Sequence, residues 1–213
     1  MLRYEVVCVT PYEQNCSVVW CEQSKVAAVI DPGGDVDRVE ATVAVLGVKL
    51  EQIWITHGHM DHASGAKKLA KMAGVPVYGP HEGDLFLLER LTADAEMMNG
   101  YMEECSFVPT RWLNDGDVLR IGQEKVEVRH CPGHTPGHVV FYSESAGRAF
   151  VGDVLFAGSI GRTDFPGGNH ADLIQSITGR LWPLGDEVVF IPGHGPESTF
   201  GRERQSNPYV GGT

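Results

Sequence analysis

The sequence predicts an α/β fold in which two mixed sheets pack face to face and helices cover both outer surfaces, a four-layer αββα sandwich. Three observations support this prediction. Strand patterns cluster at the start of each half of the chain, helical patterns follow them, and no linker or low-complexity run separates two domains. Residues 1–213 are therefore expected to form a single domain.

The first half of the chain alternates strand and helix patterns. Asp35 is predicted to cap the first helix, which continues to about Leu46 and ends at Gly47. The predicted elements, in order, are strands at 2–9, 16–22 and 26–30, a helix at 35–46, a strand at 51–55, a helix at 62–73, a strand at 75–78, and helical pieces at 81–91 and 92–99.

The second half repeats this organisation. Turn residues, mostly Gly and Pro, separate its apolar runs. The predicted elements are strands at 117–121, 125–130, 138–143 and 148–152, a helix at 170–181, a strand at 187–191, and a short final helix at 197–205.

Composition narrows the function classes. The net charge of −11 argues against a nucleic-acid groove or an anionic membrane surface as the main partner. The five cysteines are odd in number and form no C-x-x-C pair, and the N-terminus has no apolar signal segment. A cytoplasmic protein with free thiols is expected, and its oligomeric state cannot be derived from the sequence.

The central motif is T-H-G-H-M-D-H at residues 56–62, directly after the apolar run at 53–55. It places three histidines and one aspartate within six residues. Imidazole and carboxylate groups bind divalent transition metals, so this turn predicts a metal site. His57 and His59 alternate at the strand end and are expected to share one ion, whereas Asp61 and His62 begin the following helix and can serve a second.

Three later segments share one pattern, an apolar strand followed by glycine and a potential ligand. They present His134 after a Pro-Gly turn, Asp153 at a strand end, and His194 after a second Pro-Gly turn. The complete candidate set exceeds the capacity of one tetrahedral zinc and suits two ions that share a carboxylate. Its members are His57, His59, Asp61, His62, His134, Asp153 and His194.

These motifs, together with C-P-G-H-T-P-G-H at 131–138, G-D at 152–153 and P-G-H-G at 192–195, resemble the metal-binding motifs of the metallo-β-lactamase fold. Within that fold the chain is most similar to the glyoxalase II (hydroxyacylglutathione hydrolase) branch. It resembles above all the short bacterial members, which also share G-R-T-D-F-P-G-G at 161–168. Full-length glyoxalase II has a C-terminal helical domain that binds glutathione. Only 19 residues follow His194, so that domain is expected to be absent.

The resemblance implies a ligand set and an activity. His57, His59 and His134 would hold metal 1, Asp61, His62 and His194 would hold metal 2, and Asp153 would bridge them. Asp61 and Asp153 are also the candidate catalytic residues. The implied reaction is hydrolysis of a small thioester such as S-lactoylglutathione by a metal-bound hydroxide. The expected cofactors are two divalent ions, Zn²⁺ first and Fe or Mn as alternatives.

Other polar residues are expected to play lesser roles. His138 is expected to support the ligands or the core, and Asp31 either orients an imidazole or forms a turn. Arg162, Tyr142 and Phe165 are candidates for the wall of the substrate cleft, although Arg162 can instead pair with Asp164. The histidines His81, His130 and His170 are expected to be structural or on the surface.

Three alternative functions remain open at this stage. Persulfide dioxygenases resemble this chain too, and His57, His134 and Asp153 could form the two-histidine, one-carboxylate iron site that oxygenases use. The same hydroxide could attack a lactone, a β-lactam or a phosphodiester. A metal-bound module without enzymatic activity is the third alternative.

Overall fold

The computed structural model describes residues 1–99 and 104–212, and its first sheet follows the chain strand by strand. Its third strand runs parallel to the fourth, and the fourth to the fifth, whereas the first two pairings are antiparallel. The strands are, in chain order and spatial order, β1 (Leu2–Val9), β2 (Gln14–Cys21), β3 (Val26–Ile30), β4 (Lys49–Trp54) and β5 (Val77–Tyr78).

The second sheet has the spatial order β13-β12-β9-β8-β7-β6. Its β9–β12 pairing is parallel and the others are antiparallel. Its strands are β6 (Val118–Ile121), β7 (Glu124–His130), β8 (Val139–Ser143), β9 (Arg148–Gly152), β12 (Val189–Pro192) and β13 (Ser198–Thr199); a separate small hairpin contains β10 (Leu155–Phe156) and β11 (Ser159–Ile160).

Helices cover the outer face of each sheet. Val39 and Leu69 pack against the first sheet, and Leu173 and Phe200 against the second. The helices are α1 (Val36–Leu46), α2 (Met60–Ala63), α3 (Ala66–Ala73), α4 (Leu85–Asn99), α5 (His170–Ser176) and α6 (Phe200–Ser206).

A third apolar cluster fills the space between the sheets. Ile30 and Trp54 of the first sheet meet Val128 and Phe141 of the second there. Each sheet therefore has one face against the other sheet and one against helices, which is why its central strands are apolar on both faces. The predicted four-layer αββα sandwich is confirmed.

Several element boundaries differ from the predictions. The helix predicted at 62–73 is two helices, α2 and α3. They are separated at Gly65, where a Cβ would overlap the carbonyl oxygen of Pro32 and approach Val36 Cγ2 at 2.9 Å. The two helical pieces predicted at 81–91 and 92–99 are a single helix, α4, preceded by a 3-10 turn at Glu82–Asp84.

Asp35 is the N-cap residue of α1, as predicted, and its carbonyl oxygen accepts the Arg38 N–H at 2.8 Å. Its backbone is left-handed, however, with φ of 46°, and its side chain caps no helical N–H. The carboxylate instead accepts a hydrogen bond from the backbone N–H of Thr10 at 2.9 Å, so Asp35 ties the start of α1 to the end of β1.

The helix predicted at 170–181 begins as α5 and continues as a wider π-helical turn at Ile177–Leu181. All five cysteines are free thiols, with Cys8 exposed and Cys131 buried among apolar side chains. Within the described residues, no helix has the length and apolar character needed to span a membrane.

Candidate metal centre

The candidate ligands meet at one edge of the sandwich because of strand direction. Strands β7, β9 and β12 all run the same way, since antiparallel β8 lies between β7 and β9, and β9 pairs in parallel with β12. Their carboxyl ends lead into His134, Asp153 and His194. From the first sheet, the end of β4 leads into the other four candidates at 57–62.

Three imidazoles form a first cluster. The Nδ1 atom of His59 lies 3.1 Å from His57 Nε2 and 2.9 Å from His134 Nε2. All three ligand atoms lie within 4.8 Å of one another, and His57 is fully buried. Among the described residues, this is one of three groups with a geometry that could hold a metal ion.

A carboxylate and two imidazoles form a second cluster. His194 Nε2 lies 3.1 Å from Asp61 Oδ2 and 3.4 Å from His62 Nε2. These three ligand atoms also lie within 4.8 Å of one another. Each cluster therefore combines side chains that follow strands of both sheets.

Asp153 lies between the two clusters. Its Oδ1 atom is 3.3 Å from His62 Nε2, and its Oδ2 atom is 3.6 Å from His134 Nε2 and 3.7 Å from His194 Nε2. The Oδ1 atom is buried and accepts no hydrogen bond from the described residues. A buried carboxylate surrounded by imidazole nitrogens favours positive charge nearby, so this position suits a cation.

The outer nitrogens of the imidazoles fix their orientation. The Nδ1 atoms of His134 and His194 lie 2.7 Å from the Arg162 carbonyl oxygen and 3.0 Å from the Tyr12 carbonyl oxygen. Because a carbonyl only accepts, each Nδ1 carries the proton and donates it. In the neutral ring, Nε2 then keeps a lone pair that points into the cluster, which is the tautomer that metal ligation requires.

Asp31 fixes the orientation of a third imidazole, that of His62. Its Oδ2 atom lies 2.9 Å from His62 Nδ1, and its carboxylate also accepts hydrogen bonds from the Thr56 backbone N–H at 2.7 Å and hydroxyl at 2.6 Å. Asp31 belongs to the remaining potential metal group, with His57 and His62, but these donors already occupy its oxygens. Its φ of 52° makes it a turn residue as well, so both sequence interpretations hold.

Electrostatics set the protonation states of the clusters. Burial, and then the neighbouring imidazoles, lower the pKa of His57 well below its usual value and that of His59 to about 3. Burial also lowers the pKa of His134. The first cluster is therefore neutral imidazole at pH 7, the form that binds metal.

The second cluster and Asp153 favour a positive charge. Burial opposes ionisation of Asp153, but His62, His134 and His194 hold its pKa far below the usual range. Burial likewise opposes protonation of His62, yet Asp153 and Asp61 raise its pKa well above the usual value. The carboxylates thus attract a proton to this cluster, and a divalent transition metal can take the place of that positive charge on the imidazole and carboxylate donors.

His138 supports the clusters from beneath. Its ring stacks on His57 with centroids 4.6 Å apart, and its Nε2 accepts the backbone N–H of Asp153 at 3.1 Å. It belongs to none of the potential metal groups. His81 and His130 stack on each other at 4.2 Å, and His170 begins α5 on the surface.

A cavity of about 930 Å³ opens over both clusters. Arg162 and Phe165 line it as predicted, but the prediction for Tyr142 is wrong because its ring is buried in the cluster under the helices of the second sheet. Arg162 pairs with Asp164 at 2.8 Å and lies 4.4 Å from the centre of the Phe165 ring.

Sequence reasoning missed most of the cavity wall. Helix α4 and the β10–β11 hairpin supply much of it, and neither carries a ligand motif. The apolar run at 85–88 was the one sequence signal, and it is equally typical of a core helix. The missed lining residues include Tyr12, Phe86, Leu87, Phe156 and Ile160.

The fold and the clustered ligands define a class of protein. Residues 9–194 match the family model of the metallo-beta-lactamase superfamily, and the chain belongs to this superfamily. A curated relative is hydroxyacylglutathione hydrolase GloC of Haemophilus influenzae. It is 42% identical over 210 residues, which cover 98% of each chain.

Solved structures of differently named proteins share this fold. The BLEG-1 B3 metallo-beta-lactamase has a TM-score of 0.90 at 31% identity, covering 99% of this chain and 100% of its own. TTHA1623 in a di-iron-bound form has a TM-score of 0.86 at 34% identity, covering 97% and 100%. ETHE1 from Myxococcus xanthus has a TM-score of 0.82 at 27% identity, covering 99% and 85%.

Proposed function

We propose that this protein hydrolyses a small thioester, such as S-lactoylglutathione, at a centre of two divalent metal ions. One observation carries the proposal: three imidazoles on one side, and two imidazoles with a carboxylate on the other, present inward-facing donor atoms on either side of Asp153. The similarity to hydroxyacylglutathione hydrolase GloC supports the thioester as substrate.

The proposed ligand assignment follows the two clusters. His57, His59 and His134 hold the first ion. The second ion would be held by Asp61, His62 and His194, and Asp153 would supply a carboxylate between the two groups. Zinc is the proposed metal, with iron or manganese as alternatives, because all three accept imidazole and carboxylate ligands. The di-iron form of TTHA1623 supports iron as an alternative.

The side chains divide the work of hydrolysis. Two divalent ions, when bound, would polarise a carbonyl oxygen and lower the pKa of a bound water to about 7. Asp61, whose side chain is 20% exposed and lines the cavity, would be placed to accept a hydrogen bond from that water and orient it. Asp153 is ionised at neutral pH, since three neighbouring imidazoles hold its pKa far below the usual range, and its charge lies between the two clusters.

The cavity wall positions the substrate. Phe156, Ile160 and Phe165 present apolar surface that excludes water around the acyl carbon. A thioester suits this site because its thiolate leaves as an anion without a strong general acid. The full sequence has no Gly-x-Ser-x-Gly motif, which supports direct attack by water rather than a covalent intermediate.

Two further features belong to this proposal. We propose that residues 1–213 form one domain and that the cavity contributes to recognition of glutathione, since Arg90 and Arg162 supply cationic side chains to its wall. Five free cysteines support a location in the reducing cytoplasm.

A second candidate is an iron-dependent persulfide dioxygenase. His57, His134 and Asp153 would then supply a two-histidine, one-carboxylate set for one iron. The structural likeness to ETHE1 fits this alternative. The presence of Asp61, His62 and His194 as a second complete donor group favours the hydrolase.

A paired assay on one preparation of known metal content separates the two candidates. Loss of the thioester of S-lactoylglutathione is measured beside oxygen uptake with glutathione persulfide. Thioester hydrolysis with about two ions per chain is the expected result. Oxygen uptake with a single iron per chain would replace the hydrolase proposal with the dioxygenase.

His194→Ala is the matched variant for this assay. It removes one ligand of the proposed second ion and leaves the two-histidine, one-carboxylate set intact. Hydrolysis should be lost in this variant, whereas a dioxygenase reaction should be retained in large part.

A further inference from the structure

Asp84 is a buried carboxylate that lies outside the proposed ligand set. It ends the 3-10 turn at Glu82–Asp84, and its residue surface is 0% exposed. The carboxylate accepts three hydrogen bonds: from the Gly58 backbone N–H at 2.9 Å, the Thr135 hydroxyl at 2.8 Å and the Gly137 backbone N–H at 2.6 Å. No described residue forms an ion pair with it, so these donors alone compensate its charge.

The three donors belong to the two loops that carry the first cluster. Gly58 lies between His57 and His59, in the loop that follows β4 of the first sheet. Thr135 directly follows His134, in the loop between β7 and β8 of the second sheet. A single carboxylate therefore joins loops from opposite sheets beside the ligands that each loop presents.

Both loops are shaped to receive this carboxylate. A Cβ on Gly58 would lie 3.4 Å from Asp84 Cβ and 2.7 Å from Leu87 Cβ. One on Gly137 would lie 2.5 Å from Asp84 N and 2.7 Å from Asp84 Cγ. Glycine at 137 permits the close approach, since a Cβ there would displace Asp84 from its donors, whereas a Cβ at 58 would collide with Leu87, which follows Asp84 in α4.

The turn that carries Asp84 is held in place independently of its side chain. The backbone N–H of His81 donates to the Gly137 carbonyl oxygen at 3.0 Å, and the His81 ring accepts the Gly83 N–H at 3.0 Å. His130, stacked on His81, contacts the Pro136 carbonyl oxygen at 2.9 Å. Asp84 therefore binds the loops from a fixed position.

The charge of Asp84 is consistent with an acceptor role. Burial raises the pKa of its carboxyl to about 6, against the opposing effect of the three hydrogen bonds. The group is thus ionised at neutral pH, when all three donors are satisfied.

We propose that Asp84 is a positioning residue that holds the loops of His57–His59 and of His134 at the separation that the first metal site needs. It acts on the ligands through their loop backbones and does not touch substrate. The inference rests on the metal-centre part of the proposed function and is independent of which substrate is hydrolysed.

The test compares Asp84→Asn with Glu203→Gln. The asparagine keeps the size of the side chain, but its amide nitrogen must face one of the three donors. Glu203 is a matched control because it is 2% exposed and also accepts three hydrogen bonds, from Ser198, Gly158 and Asn207. None of these comes from the loops at 56–62 or 131–138.

Zinc affinity is measured by chelator competition, and the site geometry by the electronic spectrum of the cobalt-substituted protein. Asp84→Asn should weaken binding of one ion by about 10- to 100-fold and change the cobalt spectrum. Glu203→Gln should lower the melting temperature and leave both metal readouts as in the wild type. Wild-type zinc affinity and cobalt spectrum in Asp84→Asn would overturn the inference.

A second pair of variants keeps the inference testable if Asp84→Asn does not fold. Thr135→Val removes one donor and keeps the shape of the side chain, whereas Thr135→Ser keeps the hydroxyl. Thr135→Val should weaken zinc binding, whereas Thr135→Ser should bind zinc as the wild type does. Equal zinc affinities in the two variants would contradict the role of Asp84. A wild type that binds two ions but hydrolyses no thioester would refute only the proposed substrate.

Discussion

Trp54 of the first sheet packs against Phe141 of the second, with ring centroids 5.2 Å apart and planes inclined by 37°. Both rings are fully buried. This contact lies in the cluster that joins the two sheets, so it supports the relative position of the strands whose ends carry the candidate ligands.

Phe141→Ala should therefore lower the free energy of unfolding by about 3–5 kcal/mol, because it removes apolar contacts and leaves a cavity between the sheets. Denaturant titration measures the change. Val45→Ala is the control, since Val45 is 87% exposed and its truncation should change stability by less than about 0.5 kcal/mol. Equal losses in the two variants would contradict the role assigned to the inter-sheet contact.

Asp153→Ala should lose bound metal and thioesterase activity together, because Asp153 is placed to contact both proposed ions. Elemental analysis and the thioester assay on the same sample check this expectation. Asp37→Ala, which removes an exposed carboxylate on α1, should leave metal content and activity unchanged. Full activity in Asp153→Ala would refute the two-metal centre.

Asp31→Asn should weaken binding of the proposed second ion more than binding of the first, since Asp31 orients His62. Asparagine is the suitable substitution because it tolerates the left-handed backbone at φ 52°, so backbone strain does not confuse the result. We expect a fall from two ions to one after mild chelation, a 10- to 100-fold loss of affinity at one site. Retention of both ions at wild-type affinity would show that Asp31 serves only the turn.

The pKa of Asp84 predicts a pH dependence of stability. Burial raises the pKa of its carboxyl from the usual 3.8 to about 6 in the folded protein, so between these pH values the folded state binds a proton that the unfolded state does not. The free energy of unfolding of the wild type, measured relative to that of Asp84→Asn, should therefore rise as the pH falls from about 6 to 4. The total increase should be about 2–3 kcal/mol.

Unfolding titrations of both proteins across this range measure the difference. A change of the opposite sign would mean that the three hydrogen bonds outweigh burial in setting the pKa. The expected sign implies that the ionised carboxylate lowers stability at neutral pH while holding the loops in place, a conflict typical of functional sites.

The sequence predicted the layers, and the strand ends that carry the candidate ligands, better than it predicted the cavity wall. Apolar periodicity and glycine turns are local signals, so the strands that end near His57, Asp153 and His194 could be located before the structure was known. The break at Gly65 depends on contact with Pro32, which lies far away in sequence.

The role of Asp84 was hidden for the same physical reason. Its donors lie 26 to 53 positions away, and nothing in the sequence around 82–84 distinguishes it from a residue of a polar turn. The prediction for Tyr142 was wrong because the alternation of residues along a strand does not determine which face of the second sheet packs against helices.

Each cluster takes its side chains from both sheets, and this division has a consequence for the life of the molecule. An ion held in this way would act as a removable cross-link between the halves of the chain. Loss of the metal would then lower the stability of the fold as well as abolish activity. It would weaken the contact between the two sheets and expose the chain to proteases. The amount of enzyme would then follow the supply of its metal.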